Sequence, residues 1–120
     1  MKNKLTIKAF EIVGSKFCVS SEDGNRLYQQ IADALRQKKR VDVSFLNVES
    51  LTSAFLNVAI GQLYGNFSEQ DIRGGLTVSD MQDDDMALLK RVVDTAKEYF
   101  KDPEWIKAVR KEVLGDADAK

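Results

Sequence analysis

The sequence of 120 residues contains no histidine, one cysteine and one proline. The lack of histidine excludes a Ser-His-Asp triad, a Cys-His pair, a histidine-ligated metal and a phosphohistidine relay. Because Cys18 is the only cysteine, it cannot form a disulfide within the chain, which favours a reducing compartment. The sequence shows no signal peptide and no run of about 20 apolar residues that could span a membrane. We therefore expect a cytoplasmic protein that does not enter membranes.

Positive and negative side chains are present in nearly equal numbers over the whole chain, which has a formal net charge of −1. A net charge near zero provides no general attraction to nucleic acid. The two halves differ, however, because residues 1–60 carry 9 basic and 6 acidic side chains whereas residues 61–120 carry 9 and 13. The acidic residues concentrate between Asp80 and Asp85 and in the C-terminal tail. This asymmetry favours a protein partner and not a nucleic acid.

Segments with a two-residue apolar period alternate with segments of helical period along the chain. We expect strands at 5–9, 17–19, 41–45 and 76–78, with the first two joined as an antiparallel hairpin. Helices are predicted after a cap at Ser20 or Ser21, over residues 54–64, over residues 89–100 and from Pro103 onward. Strands that alternate with helices imply right-handed crossovers and parallel pairing. The prediction is an α/β domain with a small mixed, mostly parallel sheet of about four strands and about four helices.

A resemblance to a known family becomes visible in the stretch VDVSFLNVESLTSAFLNVAIGQLYG, residues 41–65. It resembles the centre of a STAS domain, the fold of bacterial anti-sigma-factor antagonists, and more closely the STAS-like family of unknown function. The order of elements agrees from about Leu5 to Phe100. The resemblance implies a STAS-like domain over residues 1–101. It also implies a non-catalytic protein-interaction module in bacterial regulation. Beyond the part that resembles the family, we expect residues 102–120 to form a C-terminal helix and tail packed on the same domain.

The resemblance also implies a site of phosphorylation. In the antagonists, the corresponding turn reads Asp-Ser-Ser/Thr-Gly-Leu, and its first serine is phosphorylated by a partner kinase that is also the anti-sigma factor. In this sequence, Ser53 falls on that position, while Thr52 replaces the acid and Phe55 replaces the glycine. The partner implied is an ATPase of the histidine-kinase type. The candidate partner surface comprises Ser50, Thr52, Ser53 and Asn57.

A simpler interpretation of the same turn needs no phosphorylation. Ser53 lies where a buried helix is predicted to begin, so its oxygen, or that of Thr52, can accept a hydrogen bond from a free backbone N–H. If Ser53 is only such a cap, its replacement by alanine is expected to cost about 1 kcal/mol. Both interpretations remain open at this point.

Two other groups of residues suggest alternative functions. The carboxylates of Asp80, Asp83, Asp84 and Asp85 suit Mg²⁺ or Ca²⁺ and would fit a divalent-metal enzyme, although acids are also favourable where a helix begins. Trp105, Ile106 and Val109 form an apolar stripe that either packs on the same domain or serves a homodimer interface. Cys18 is expected to be a packed structural thiol. We expect no catalytic residue, no cofactor and no resident metal.

Overall fold

The computed structural model of the protein describes residues 4–101, and the predicted C-terminal helix in 102–120 lies outside them. The described residues form five strands and a series of helices. The strands are β1 Lys4–Lys8, β2 Phe17–Cys18, β3 Arg40–Ser44, β4 Ser50–Leu51 and β5 Leu76–Ser79. The α-helices are α1 Ala9–Val13, α2 Ser21–Arg36, α3 Ser53–Leu56, α4 Leu63–Asn66, α5 Glu69–Gly75 and α6 Asp83–Lys101, and a π-helical segment, Asn57–Gly61, lies between α3 and α4.

The strands form two separate sheets, and every pairing is parallel. One sheet has the order β1-β3-β5, with Leu5 opposite Val41 and Val43 opposite Val78. The other consists of β2 and β4, with Phe17 opposite Ser50. The α/β class and the predominance of parallel pairing are thus confirmed.

The predicted hairpin of the first two strands is wrong. Helix α1 follows β1 directly and ends at Gly14, whose φ of 80° is readily adopted only by glycine. The helix carries the chain away from the edge of β1, and β2 then pairs with β4 instead. Ala9, predicted as a strand residue, is fully buried within α1. Leu5 is 39% exposed, because its strand lies at the edge of the sheet.

The core lies on one face of the three-stranded sheet. Val41 and Val43 point to that face and are almost fully buried beneath the helices. The opposite face carries polar side chains, among which the Asp42 carboxylate accepts hydrogen bonds of 2.8 Å from the Thr77 and Ser79 hydroxyls. The predicted alternation of the third strand is therefore confirmed.

Helix α2 packs closely against the segment where α3 passes into the π-helical turn. The Ser20 hydroxyl caps α2 by accepting a hydrogen bond of 3.0 Å from the Asp23 amide, as predicted. Its predicted apolar face is buried, with Leu27 and Ile31 fully inaccessible. A Cβ atom on Gly24 would lie only 2.6 Å from the carbonyl oxygen of Phe55. The absence of a side chain at Gly24 is therefore what allows the two helices to approach.

The α3, π-helical and α4 segments follow one another over residues 53–66, here called the central helix. It contains fully buried side chains, including Phe55 and Leu56, as its nearly continuous apolar sequence predicts. Helix α6 runs beside it in the same direction, since Val92 and Ala96 face Gly61 and the ring of Phe100 faces Gly65. Tyr99 and Phe100, which the periodicity predicts as buried, are 51% and 37% exposed, although the Phe100 ring packs against Gly65.

Helix α5 is not predicted by the pattern of apolar residues. Its start is marked by Ser68, whose hydroxyl accepts a hydrogen bond of 3.0 Å from the Asp71 amide. In the described part of the chain, every helix is too short or too polar to cross a membrane.

Candidate functional site

The turn between β4 and α3 is held by the hydroxyl of Thr52. Its Oγ1 accepts a hydrogen bond of 3.2 Å from the Phe55 amide and so caps the central helix. The same hydroxyl donates a hydrogen bond of 2.8 Å to the carbonyl of Val19. Thr52 therefore starts the helix and also ties it to the residue that follows β2.

Ser53 is the first residue of α3, and its side chain is exposed. Among residues 4–101, its hydroxyl has no hydrogen-bond partner. Of the two hydroxyls predicted as possible caps, that of Thr52 is confirmed and that of Ser53 is not, because Thr52 occupies the cap position and supplies the oxygen. The Ser53 hydroxyl is consequently available to a partner.

Asn57 lies one helical turn beyond Ser53 and is also exposed. It opens the π-helical segment, in which its carbonyl accepts a hydrogen bond of 3.0 Å from the Gln62 amide. Segments of this kind occur often at functional sites. The structure thus brings Ser53 and Asn57 to one surface, next to the half-buried Ser50 and Thr52.

Two apolar side chains complete this surface, and sequence reasoning did not identify them as functional. Phe17 lies opposite Ser50 in the parallel β2–β4 pair, so both side chains point to the same side. Phe17 and Val19 are 46% and 41% exposed, whereas Cys18 between them is fully buried. The sequence did offer a signal for this, because successive side chains of a strand point to opposite faces. If Cys18 is buried, Phe17 and Val19 on either side of it must point outward. We call Phe17, Val19, Ser50, Thr52, Ser53 and Asn57 the turn surface.

Cys18 anchors the inner side of the turn surface. Burial, and after it the negative charge of Asp23, raises the pKa of its thiol to about 11. A thiol with a raised pKa is a poor nucleophile, because the thiolate is the reactive form. The sequence-based interpretation of Cys18 as a packed residue is confirmed.

Cys18 is expected to resist thiol reagents in the native protein. At pH 8 almost none of it is thiolate, and its sulfur is inaccessible to solvent. The reaction with 5,5′-dithiobis(2-nitrobenzoate) should therefore be slower than in urea-unfolded protein by about two orders of magnitude or more. The rise in absorbance of the released thionitrobenzoate, followed once without urea and once in unfolding urea, measures this difference. Equal rates would show that β2 opens readily.

The predicted acidic group does not assemble into a metal site. The Asp80 carboxylate accepts a hydrogen bond of 2.6 Å from the buried Ser44 hydroxyl, across the ends of β3 and β5. Asp83, Asp84 and Asp85 lie instead in the first turn of α6, where acids are favourable. Within the described residues, no three His, Cys, Asp or Glu side chains are placed to hold a metal ion together.

Comparison with known families assigns the chain. The sequence profile of the STAS-like domain of unknown function matches residues 23–86, which is more than half of the 120 residues. The chain belongs to this family. Comparison with curated proteins and with solved structures gave no match. The resemblance seen in residues 41–65 is therefore confirmed.

The matched segment of the STAS-like domain includes only part of the turn surface. Ser50, Thr52, Ser53 and Asn57 lie inside residues 23–86, whereas β1 and β2 precede it. The exposed apolar pair on and after β2 is thus brought to the turn by the tertiary structure. The predicted interface of Trp105, Ile106 and Val109 lies outside the described residues.

Proposed function

We propose that this STAS-like domain is a non-catalytic, cytoplasmic module that recognises a protein partner through the turn surface. The observation that carries the proposal is the exposed, unpartnered Ser53 hydroxyl directly after Thr52, whose hydroxyl bonds the Val19 carbonyl, on a surface that also exposes Phe17 and Val19. Apolar anchors surrounded by hydroxyl and amide groups are typical of the centre and rim of a protein interface. The single buried thiol at Cys18 is consistent with a reducing compartment.

Phosphorylation of Ser53 is the proposed means of regulation. A phosphate at the first position of α3 would lie at the positive end of the central helix and would not disrupt it. It would add close to two negative charges to the turn surface, which also exposes Phe17 and Val19. Because charge is costly to desolvate in an apolar contact, the modification would change partner affinity without changing the fold.

The charge near the turn surface indicates the chemistry of the partner. The central helix and α6 run in the same direction, so both begin at the end of the molecule where β3 and β5 finish. That end already carries the acidic first turn of α6. A partner with a basic contact surface would fit it, and the resemblance to antagonists suggests an ATPase of the histidine-kinase type, which would supply the phosphate.

The test uses the intact chain with such an ATPase recovered from the native cell. Transfer of ³²P from ATP should occur on the original chain and on Ser21→Ala, but should be lost in Ser53→Ala. Ser21 is a matched control, because it is also exposed and also the first residue of a helix after a hydroxyl cap. Equal labelling of Ser53→Ala and the original chain would exclude Ser53 as the acceptor.

Binding measured by titration calorimetry tests the surface independently of phosphorylation. Ser53→Asp and Phe17→Ser should each change the dissociation constant by about tenfold, or about 1.4 kcal/mol. Thr95→Asp is the control, since Thr95 is exposed on α6 and belongs to no part of the turn surface. If both surface variants bind the ATPase as the original chain does, the proposed interface is wrong.

A further inference from the structure

A second concave site lies at the other edge of the fold, between β5, α5 and α6. The cleft has a volume of about 260 Å³ and shares no residue with the turn surface. Strand β5 is an edge strand of its sheet, and α6 follows it without covering that edge closely. Several of the apolar side chains that line the cleft are only half-buried. These half-buried side chains are Leu76, Val78, Leu89 and Val93.

Two cations and one anion line the rim of the cleft, and Asp94 lies close enough for its charge to act on Tyr64. One carboxylate oxygen of Glu69 accepts a hydrogen bond of 2.9 Å from Arg73 and forms an ion pair with the Lys97 ammonium at 3.0 Å. A guanidinium has five N–H donors and an ammonium has three, so each cation retains further donors after this contact. The N–H donors of Arg73 and Lys97 that Glu69 does not use can therefore bind a further hydrogen-bond acceptor, and a negatively charged acceptor would bind them most strongly.

Tyr64 adds a neutral donor to the same rim. Burial raises the pKa of its phenol above the ordinary value; the charges of Lys97 and Arg73 act in the opposite direction, whereas those of Glu69 and Asp94 raise the pKa further. The hydroxyl thus keeps its proton at neutral pH. Within residues 4–101 this hydroxyl has no hydrogen-bond partner.

We propose that this cleft binds a small organic monocarboxylate with a short aliphatic or aromatic body. The apolar body would cover the half-buried side chains of the floor, and the carboxylate would lie among Lys97, Arg73 and Tyr64. The Glu69 carboxylate already contacts both cations, so a ligand carboxylate would share them with it through their remaining donors. The volume favours a small ligand, because sites for drug-sized molecules measure roughly 300–1,000 Å³.

Charge complementarity separates this ligand class from other occupants. A cation would meet two cations, Lys97 and Arg73, among the lining residues, and a neutral molecule would leave their remaining donors unused. Hydrogen bonds to charged groups stabilise a complex by an amount equivalent to about tenfold in affinity or more. Binding should therefore depend on the sign of the head group and not only on the apolar body.

The test is a titration of the ¹⁵N-labelled full chain, followed by amide chemical shifts, with three probes of one chain length. Hexanoate should produce saturable shifts in β5, α5 and α6, while hexan-1-ol and hexylammonium should bind at least about tenfold more weakly. The probe comparison requires no variant, so it does not depend on whether a substituted chain folds. Equal binding of the three probes, or no saturable shift with hexanoate, would overturn the proposal.

Variants of the rim give a second measurement with the same probe. Lys97→Met should weaken hexanoate binding about tenfold, and Lys97→Arg should restore most of it. Lys90→Met is the matched control, because Lys90 also pairs with an acid but on an exposed part of α6. Glu69→Gln should strengthen binding, since it removes the negative charge that competes with the ligand. Unchanged affinity in Lys97→Met, or loss of affinity in Lys90→Met alone, would contradict the assignment.

Discussion

Replacing Thr52 with alanine is expected to lower the free energy of unfolding by about 2 kcal/mol. The substitution removes the cap of the central helix, which is typically worth about 1 kcal/mol. It also removes the hydrogen bond to the Val19 carbonyl, which adds about 1 kcal/mol. One substitution removes both hydrogen bonds, because the same hydroxyl makes both contacts, so the two costs add. Urea denaturation followed by circular dichroism measures the change.

Two neighbouring substitutions serve as controls for Thr52→Ala. Thr52→Ser keeps a hydroxyl at the cap and should retain most of the stability. Ser53→Ala should change the free energy of unfolding by no more than about 0.5 kcal/mol, because Ser53 is exposed and does not cap the helix. A larger loss for Ser53→Ala than for Thr52→Ala would show that the cap lies at Ser53, as the sequence alone had allowed.

The substitution Gly24→Ala is expected to destabilise the fold by about 2 kcal/mol. The added methyl group would lie 2.6 Å from the Phe55 carbonyl oxygen and 3.2 Å from the Val58 Cβ. Because the first of these atoms is backbone, α2 or the central helix must shift, at a cost of about 3 kcal/mol. The better helix propensity of alanine offsets about 1 kcal/mol of that cost. The melting temperature measures the result.

Gly74→Ala is the matched control for Gly24→Ala. Gly74 also lies in a helix, but a Cβ atom there would meet no other atom within 4 Å. Alanine at this position should therefore be neutral or stabilise the protein by up to about 1 kcal/mol. Equal melting temperatures for the two variants would mean that the contact between α2 and Phe55 is not as close as the structure shows.

The Gly24 contact also bears on the turn surface. Phe55 is the residue whose amide Thr52 caps, and its carbonyl faces Gly24. The position of α3, and hence of Ser53, is therefore set by the approach of α2. A Gly24→Ala chain that remains folded should bind the partner less tightly than the original, because Ser53 and Phe17 would no longer keep their relative positions.

Much of the fold could be predicted from local patterns. The alternation in residues 41–45 indicates β3, because polar and apolar side chains separate onto two faces of a half-buried strand. The Ser20 cap and the apolar face of α2 were likewise readable, since capping and helical periodicity depend on residues close in sequence. The stretch 41–65 was sufficient to indicate the STAS-like family, which the profile match confirms.

Contacts distant in sequence could not be read in this way. The pairing of β2 with β4 depends on where α1 directs the chain, and nothing in Phe17–Val19 distinguishes a hairpin partner from a parallel one. The choice between Thr52 and Ser53 as the cap was equally open, because both carry a hydroxyl. The structure assigns the cap to Thr52, whose hydroxyl also reaches the Val19 carbonyl.

The lack of histidine excludes a phosphohistidine, and the residues around Ser53 indicate the turn at which the proposed phosphorylation would act. Those conclusions need only the sequence, because they concern which chemical groups exist and what local pattern surrounds them. Only the tertiary structure placed Phe17 opposite Ser50 and Val19 next to Thr52, and left the Ser53 hydroxyl unpartnered among the described residues. It alone assembled Tyr64, Arg73 and Lys97 around one cleft. The physical reason is that surfaces and clefts form between segments distant in the chain, so their composition depends on packing.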